Sequence, residues 1–325
     1  MTILGTGAWG TALAVLYAGR GQPVTLWCRR AEQAAKISAA RENTDYLPGI
    51  VLPENIFVTT DAAVLRQAKI ILAAVPTQYL PGALTDLKND IPAIVPIVIC
   101  AKGIHLASNA LLPDAIAKIL PAHTLAILSG PNLAAEIARG LPAAATIAAK
   151  DEGTAQRIAE QLHMPNFRPY VSADVMGVAL AGALKNILAL AAGMVIGAGL
   201  GENARAALIT RGTAEITQLG LKMGARAETF MGLSGIGDIM LTCHAPSSRN
   251  FSCGFALGQG KTLKEILATR KSVTEGVTTV APVLALAAQY GVELPICEAV
   301  SKVLNGQMNV GAALTQLMAR PLKAE

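Results

Sequence analysis

The feature that most constrains this chain is a glycine turn placed almost at its start. Gly5-Thr6-Gly7-Ala8-Trp9-Gly10 follows the apolar run Thr2–Leu4 and precedes Thr11–Gly19, which has apolar residues at helical spacing. Each glycine has its own task in a strand–turn–helix unit that holds a dinucleotide. Gly5 makes the tight turn, Gly7 lets a pyrophosphate approach the backbone, and Gly10 lets the helix pack on the strand. The helix start adds N–H groups and the positive end of a dipole. The spacing alone is a weak signal; the strand before it, the helix after it and a second strand ending about 20 residues on give it meaning. Only four residues precede Gly5, as expected if the first strand is slightly clipped.

The rest of the first half continues the alternation. Val24–Trp27, Ile70–Ala74, Ile94–Cys100, Thr124–Leu128 and Ala144–Ala148 read as buried strands. Ala31–Ala40, Ala62–Ala68 and Ala110–Leu120 between them have helical spacing. Such alternation predicts an α/β fold with a Rossmann-like, doubly wound parallel sheet, whose ligands sit beyond the carboxyl ends of the strands. After about Val171 the strand signal stops. Asp174–Leu200, Ala204–Met223, Phe251–Leu257, Leu263–Ala268, Thr278–Tyr290, Ile296–Leu304 and Val310–Met318 read as helices. Two domains are therefore expected, a dinucleotide-binding domain over 1–172 and an all-α substrate and catalytic domain over 173–325.

Composition decides which other classes are worth keeping. The chain is 52% hydrophobic and only 15% charged, which excludes disorder and raises the question of a membrane span. Between Asp174 and Glu202 the one charged residue is Lys185, and the uncharged run Ile187 to Gly201 is 15 residues long. A span needs about 20 apolar residues, so a buried helix without stable membrane insertion is expected. The net charge of +5 is spread along the chain and aromatics are 4%, giving neither the basic stripe nor the stacking platform of a nucleic-acid binder. A mild positive excess fits an anionic small substrate, or merely solubility. The five cysteines form no CxxC pair, and the four histidines have no metal spacing. A reducing compartment, no disulfide framework and no metal are expected. Met1–Gly5 has no basic stretch or small-residue cleavage site, so no signal peptide and a cytoplasmic location are expected.

In a chain so poor in charge, the placement of each charge matters. Arg29 and Arg30 end the second strand, where an NAD-selective enzyme usually has an acid; arginine there suits a 2′-phosphate. NADP(H) is the preferred cofactor on this reading, with NAD(H) as the alternative; the competing reading is a pair of solvated loop charges. Lys102 follows the apolar strand directly, and Ser129-Gly130-Pro131 closes the next one, with Asn132 and Ala134 opening a helix. Both lie at the ligand end of a parallel sheet. Lys185 is surrounded by uncharged residues on every helical face; burial lowers a lysine pKa and can make it a general acid or base. A snorkelling lysine with its head in water is the equal alternative. Asn186 beside it suits a substrate hydroxyl or a plain helix surface. Asp238 follows three closely spaced glycines, which suggests a constrained loop carboxylate able to partner a lysine, with Thr242 four residues on and on the same face. Ser248, Arg249 and Asn250 open a helix and suit either a phosphate cradle or a simple cap.

Taken together, these segments resemble the NAD(P)-dependent glycerol-3-phosphate dehydrogenase family of bacteria almost end to end. The resemblance rests on Gly5–Ala14, Asn43–Pro48, Ala74-Val75-Pro76, Lys102-Gly103-Ile104, Ser129–Pro131, Leu184–Ile187, Ala206–Gly212, Gly235–Asp238, Thr242-Cys243, Ser248–Asn250 and Val273–Gly276 in that order. It implies interconversion of dihydroxyacetone phosphate and sn-glycerol 3-phosphate, feeding phospholipid synthesis. It makes Lys185 the proton acceptor; on our reading Lys102 and Asp238 tune and orient that exchange. It places Lys102, Gly130, Asn132, Asp238, Ser248, Arg249 and Asn250 at the substrate, and Asn186 and Thr242 join them as candidates on their position beside Lys185 and Asp238 in the sequence. It places Ala8, Trp9, Arg29, Lys102, Ala134, Arg249, Val273 and Glu275 at the dinucleotide, and Tyr46 of the Asn43–Pro48 motif is a further candidate there. The family commonly has Ser in place of Ala8 and Ser or Thr in place of Asn132, which bears on affinity more than on proton transfer. Two rivals remain: another two-domain hydroxy-acid or hydroxyacyl-CoA dehydrogenase, and a non-catalytic NADP-binding sensor. The apolar helical half has surface enough for a homodimer face, although core helices look the same.

Overall fold

The computed structural model describes residues 1–269 and 274–321, and they form two compact units, Met1–Ala179 and Leu180–Glu325. The first is built on an eight-stranded sheet. From one edge to the other its strands are Phe167–Ser172, Ala143–Ala149, Leu125–Ser129, Ile97–Ile99, Ile71–Ala73, Thr2–Leu4, Val24–Trp27 and Ile56–Thr59. Neighbours run parallel except Ala143–Ala149 against Leu125–Ser129, which is antiparallel. The two edge strands Ile56–Thr59 and Phe167–Ser172 carry no buried run in the sequence. Their half-exposed patterns explain why the strand signal of the inner six does not extend to them.

Burial on both faces explains the inner strands. Side chains alternate across a strand, so each strand feeds two cores. Ile3, Leu26, Leu72, Val98 and Leu128 point into one, with Leu13, Leu16 and Tyr17 of the first helix. Leu4, Trp27, Ile71, Ile97 and Ile127 point into the other, with Leu84 and Ile116. Thr2–Leu4 pairs Val24–Trp27 on one side and Ile71–Ala73 on the other. The chain therefore winds first one way and then back, and the point of reversal lies at the carboxyl end of Thr2–Leu4, where the glycine turn stands.

The second unit is helical. Its central helix, Val175–Gly197, begins at the end of the first unit, and it is flanked in sequence by Gly201–Lys222. At 23 residues the central helix is long and apolar enough to cross a bilayer, so the 15-residue argument from sequence does not hold; 94% of its most apolar stretch is buried inside the fold. Glycines bring it against Arg249–Gly258. A Cβ at Gly193 or Gly197 would run into the backbone of Phe251 or Phe255, and one at Gly254 or Gly258 into Leu190 or Met194. Residues four apart share a helix face. Two such glycine pairs face each other and bring Asn186 and Asn250 into register. All five cysteines are free and buried.

Candidate active site

In the first unit the glycine turn has the shape a dinucleotide needs. Gly5 has φ +105°, and a Cβ there would stand 2.9 Å from the Ala74 carbonyl oxygen, so only glycine is relaxed at this point. A Cβ at Gly10 would overlap the Gly5 carbonyl. At Gly7 a Cβ would meet nothing within 4 Å, so the backbone there is open to approach. The helix Ala8–Ala18 has no side-chain cap and no acid in its first turn, leaving its leading N–H groups and dipole for an anion. These residues fit a pyrophosphate. Asn43 braces the turn: its Nδ2 donates to the Thr6 carbonyl and to Thr11 Oγ1, both at 2.8 Å.

Around that turn lie the other expected cofactor residues of this unit. Trp9 is half-buried on the first turn of the helix, and Ala134 opens the helix Ala134–Ala138. Tyr46 is 38% exposed, in the short hairpin formed by Glu42–Asn43 and Leu47–Val51. Arg29 and Arg30 are both exposed, but they differ. Arg30 is tied back to Gln33, its Nε and Nη2 donating to Gln33 Oε1 at 3.3 and 2.8 Å. Lys102 and Gly130 extend from the carboxyl ends of adjacent parallel strands, and Lys102 Nζ donates to the Gly130 carbonyl at 3.1 Å. Both polar atoms of the Asn132 amide are shielded from solvent without a hydrogen-bond partner. Such a group costs about 1–3 kcal/mol until something pairs with it.

The second unit gathers a polar cluster in its apolar interior. Lys185, at the middle of Val175–Gly197, donates from Nζ to Asp238 Oδ1 at 2.6 Å and to Thr242 Oγ1 at 3.0 Å. Thr242 in turn donates to Asp238 Oδ1 at 3.2 Å. The Lys185 side chain is 12% exposed and that of Asp238 1%, so this is an interior ion pair and not a snorkelling lysine. Asp238 is not in a loop, as the glycines before it suggest. It is the first residue of the helix Asp238–His244, entered from a tight turn over Leu233–Gly237 whose Gly235 is non-helical. That helix places Thr242 one turn along on the same side. Cys243 beside it is no nucleophile: burial pushes its thiol up to about 12, with Lys185 lowering it and Asp238 raising it less.

Close by, Asn250 Nδ2 donates to Asn186 Oδ1 at 2.8 Å, and Asn250 Oδ1 accepts the Gly276 N–H at 2.9 Å. Ser248 is the cap of Arg249–Gly258, its hydroxyl accepting the Phe251 N–H at 3.3 Å. Arg249 is the exposed first residue of that helix, and Glu275 opens the helix Glu275–Gln289. Val273 lies outside the described residues. Reasoning from sequence gives no role to Asn43, Gln33 or Gly276, although Asn43 and Gly276 stand in motifs that carry the resemblance. Their contacts are made by the fold, those of Asn43 and Gly276 with residues 26 to 37 positions away, and no spacing in the chain announces them.

Comparison with known proteins gives the family and the fold. Residues 1–155 match the family model for the N-terminus, and residues 174–315 that for the C-terminus, of NAD-dependent glycerol-3-phosphate dehydrogenase. The glycerol-3-phosphate dehydrogenase [NAD(P)+] of Parvibaculum lavamentivorans is 47% identical over 100% of this chain and 98% of its own. That of Caulobacter vibrioides is 49% identical over 99% and 98%. The crystal structure of glycerol-3-phosphate dehydrogenase from Coxiella burnetii superposes with a TM-score of 0.93 at 38% identity, covering 98% of each chain. D-mandelate dehydrogenase, at 14% identity and a TM-score of 0.64, shares the fold alone. With its glycine turn, its Lys185–Asp238 pair and relatives matched along their whole length, this chain belongs to the NAD(P)-dependent glycerol-3-phosphate dehydrogenase family.

Proposed function

We propose that this protein interconverts dihydroxyacetone phosphate and sn-glycerol 3-phosphate, with NADP(H) preferred and NAD(H) as the alternative, and that Lys185 moves the proton. One observation carries the reading. An ammonium group has three N–H donors, and Lys185 directs two of them to Asp238 and Thr242. The third is left for a substrate oxygen. The dinucleotide, when bound, supplies or accepts the hydride. In reduction, the C2 carbonyl oxygen takes the proton from Lys185 Nζ as hydride reaches C2. In oxidation, Nζ takes the proton of the C2 hydroxyl. Asp238 holds Nζ in place and balances its charge, so the proton is delivered at a fixed atom.

The remaining residues bind and orient. The first turn of Ala8–Ala18 takes the pyrophosphate, with Trp9, Tyr46, Ala134 and Glu275 at the rest of the dinucleotide. Lys102, Gly130 and Asn132 serve the substrate from the sheet edge, with Lys102 also tuning proton transfer. Arg249 at the start of its helix suits the substrate phosphate, and Ser248 fixes that helix start. Arg29, the arginine with no hydrogen bond to Gln33, favours the 2′-phosphate. In the reductive direction the product is the glycerol phosphate on which phospholipids are built. The test is loss of NADPH absorbance with dihydroxyacetone phosphate, repeated with NADH. Oxidation that is faster with NADPH is expected. No oxidation with either would overturn the reading in favour of a dinucleotide sensor, and turnover only with a hydroxy-acid or acyl-CoA substrate would point to another two-domain dehydrogenase.

A further inference from the structure

The Thr6–Gly7 peptide lies in the glycine turn, and its orientation decides whether an approaching anion meets an N–H or a carbonyl oxygen. A trans peptide points those two groups in opposite directions. Gly7 makes the choice soft, because glycine accepts either sign of φ and lets the peptide turn over. Here φ at Gly7 is −72°, and one side chain holds that state. Asn43 Nδ2 donates to the Thr6 carbonyl and to Thr11 Oγ1, both at 2.8 Å. A carbonyl oxygen can only accept, so the Asn43 atom that meets it must be the NH2. With the Thr6 oxygen turned to Asn43, the Gly7 N–H points away from it, and a Cβ on Gly7 would meet nothing within 4 Å. Asn43 is 1% exposed, so water does not stand in for its donors. Asn43 is itself anchored. Arg41 before it has φ 49° and donates to the carbonyls of Ile56 at 3.0 Å, Leu52 at 3.1 Å and Pro53. The Asn43 carbonyl accepts the Tyr46 N–H at 3.2 Å.

We propose that Asn43 is a positioning residue that locks the Thr6–Gly7 peptide with its N–H toward the dinucleotide pyrophosphate. It acts through the turn and makes no contact of its own with the cofactor. This rests on the reading of the glycine turn as the pyrophosphate site. The glycine that lets the pyrophosphate approach also lets the peptide flip, and a flipped peptide would set the Thr6 oxygen against a negative charge. Thr11 completes the lock. It is fully buried on the first helix, its hydroxyl takes the second Asn43 hydrogen, and its N–H donates to the Gly7 carbonyl at 3.0 Å. The Thr6 side chain is held as well, with its Oγ1 3.3 Å from Cys28 Sγ. One residue thus serves two parts of the cofactor site, gripping the glycine turn with its side chain and the Tyr46 turn with its backbone.

Two fragments of the cofactor test this by calorimetric titration of the full-length protein. Adenosine 2′-phosphate lacks the pyrophosphate, and 2′-phospho-ADP-ribose carries it. Asn43→Ala should weaken 2′-phospho-ADP-ribose by about 10- to 100-fold, the worth of a hydrogen bond to a charged group. It should leave adenosine 2′-phosphate within about twofold, because that fragment shares no partner with the turn. The backbone bond to Tyr46 survives the substitution. In steady-state assays the loss should appear in the KM for NADPH more than in kcat. Thr11→Val removes only the second acceptor of the Asn43 amide and should give a smaller loss of the same kind, about 2- to 10-fold. Equal weakening of both fragments would assign Asn43 to the fold at large, and unchanged affinity for 2′-phospho-ADP-ribose would leave it no part in the turn; either result overturns the lock. A wild type that binds the two fragments equally overturns the reading of the glycine turn instead. If Asn43→Ala does not fold, Thr11→Val decides alone by the same comparison.

Discussion

Lys185 has one N–H that the protein does not use, and its worth can be measured. A placed proton donor contributes about 10²–10⁴-fold in rate. Lys185→Ala should lose turnover by that range while NADPH still quenches or enhances fluorescence at wild-type concentrations; loss of NADPH binding instead would mean that the lysine serves the fold. Arg29 makes the second residue-scale prediction. Charge-assisted hydrogen bonds are worth about 1.5–3 kcal/mol, so Arg29→Asp should shift the ratio of kcat/KM for NADPH over NADH by about 10- to 100-fold toward NADH. An unchanged ratio would assign the 2′-phosphate to another residue. Lys185 and Asp238 were legible from sequence because a lone charge in an apolar or glycine-rich segment has few benign explanations. Asn250 was legible as part of a helix start suited to a phosphate cradle or a simple cap. Which way its amide points depends on Gly276, 26 residues away, and no local pattern encodes that.

At the scale of elements, the glycine-to-glycine contact between Val175–Gly197 and Arg249–Gly258 holds Asn186 and Asn250 in register. Gly254→Ala puts a methyl group onto the Leu190 backbone, which cannot yield as a side chain would. Overpacking of this kind typically costs about 1–3 kcal/mol. The variant should unfold at lower denaturant concentration and lose turnover beyond what its unfolded fraction explains; unchanged stability would mean that the helices separate freely. The inner strands of the sheet were legible because burial on both faces makes them continuously apolar. The edge strands Ile56–Thr59 and Phe167–Ser172 were not, because one face of each meets solvent. The short helix Asp238–His244 was hidden by the glycines before it, which mark the turn into the helix and not a loop.

For the whole molecule, low charge content means that a buried ionisable group outside the site affects global stability. Glu215, on Gly201–Lys222, accepts the Ile296 N–H with both oxygens at 3.2 and 3.1 Å, at the start of the helix Pro295–Leu304. Burial pushes its carboxyl up to about 7, against the smaller lowering effects of the Ile296 N–H, Arg320 and Arg211. Because the folded state holds a proton that the unfolded chain releases, this contribution is full below about pH 4.5 and is lost as pH rises to about 7. The loss is on the order of 3 kcal/mol. Glu215→Gln should remove that slope and be the more stable form at pH 8 in denaturant unfolding; parallel pH profiles for the two proteins would contradict it. The central claim concerns Lys185, and single-turnover hydride transfer tests it most directly. Preformed enzyme–NADPH is mixed with dihydroxyacetone phosphate, and wild type is compared with Lys185→Ala under saturating substrate. The account predicts complete NADPH oxidation by wild type and a rate at least about 100-fold lower in the variant. Equal single-turnover rates would contradict it.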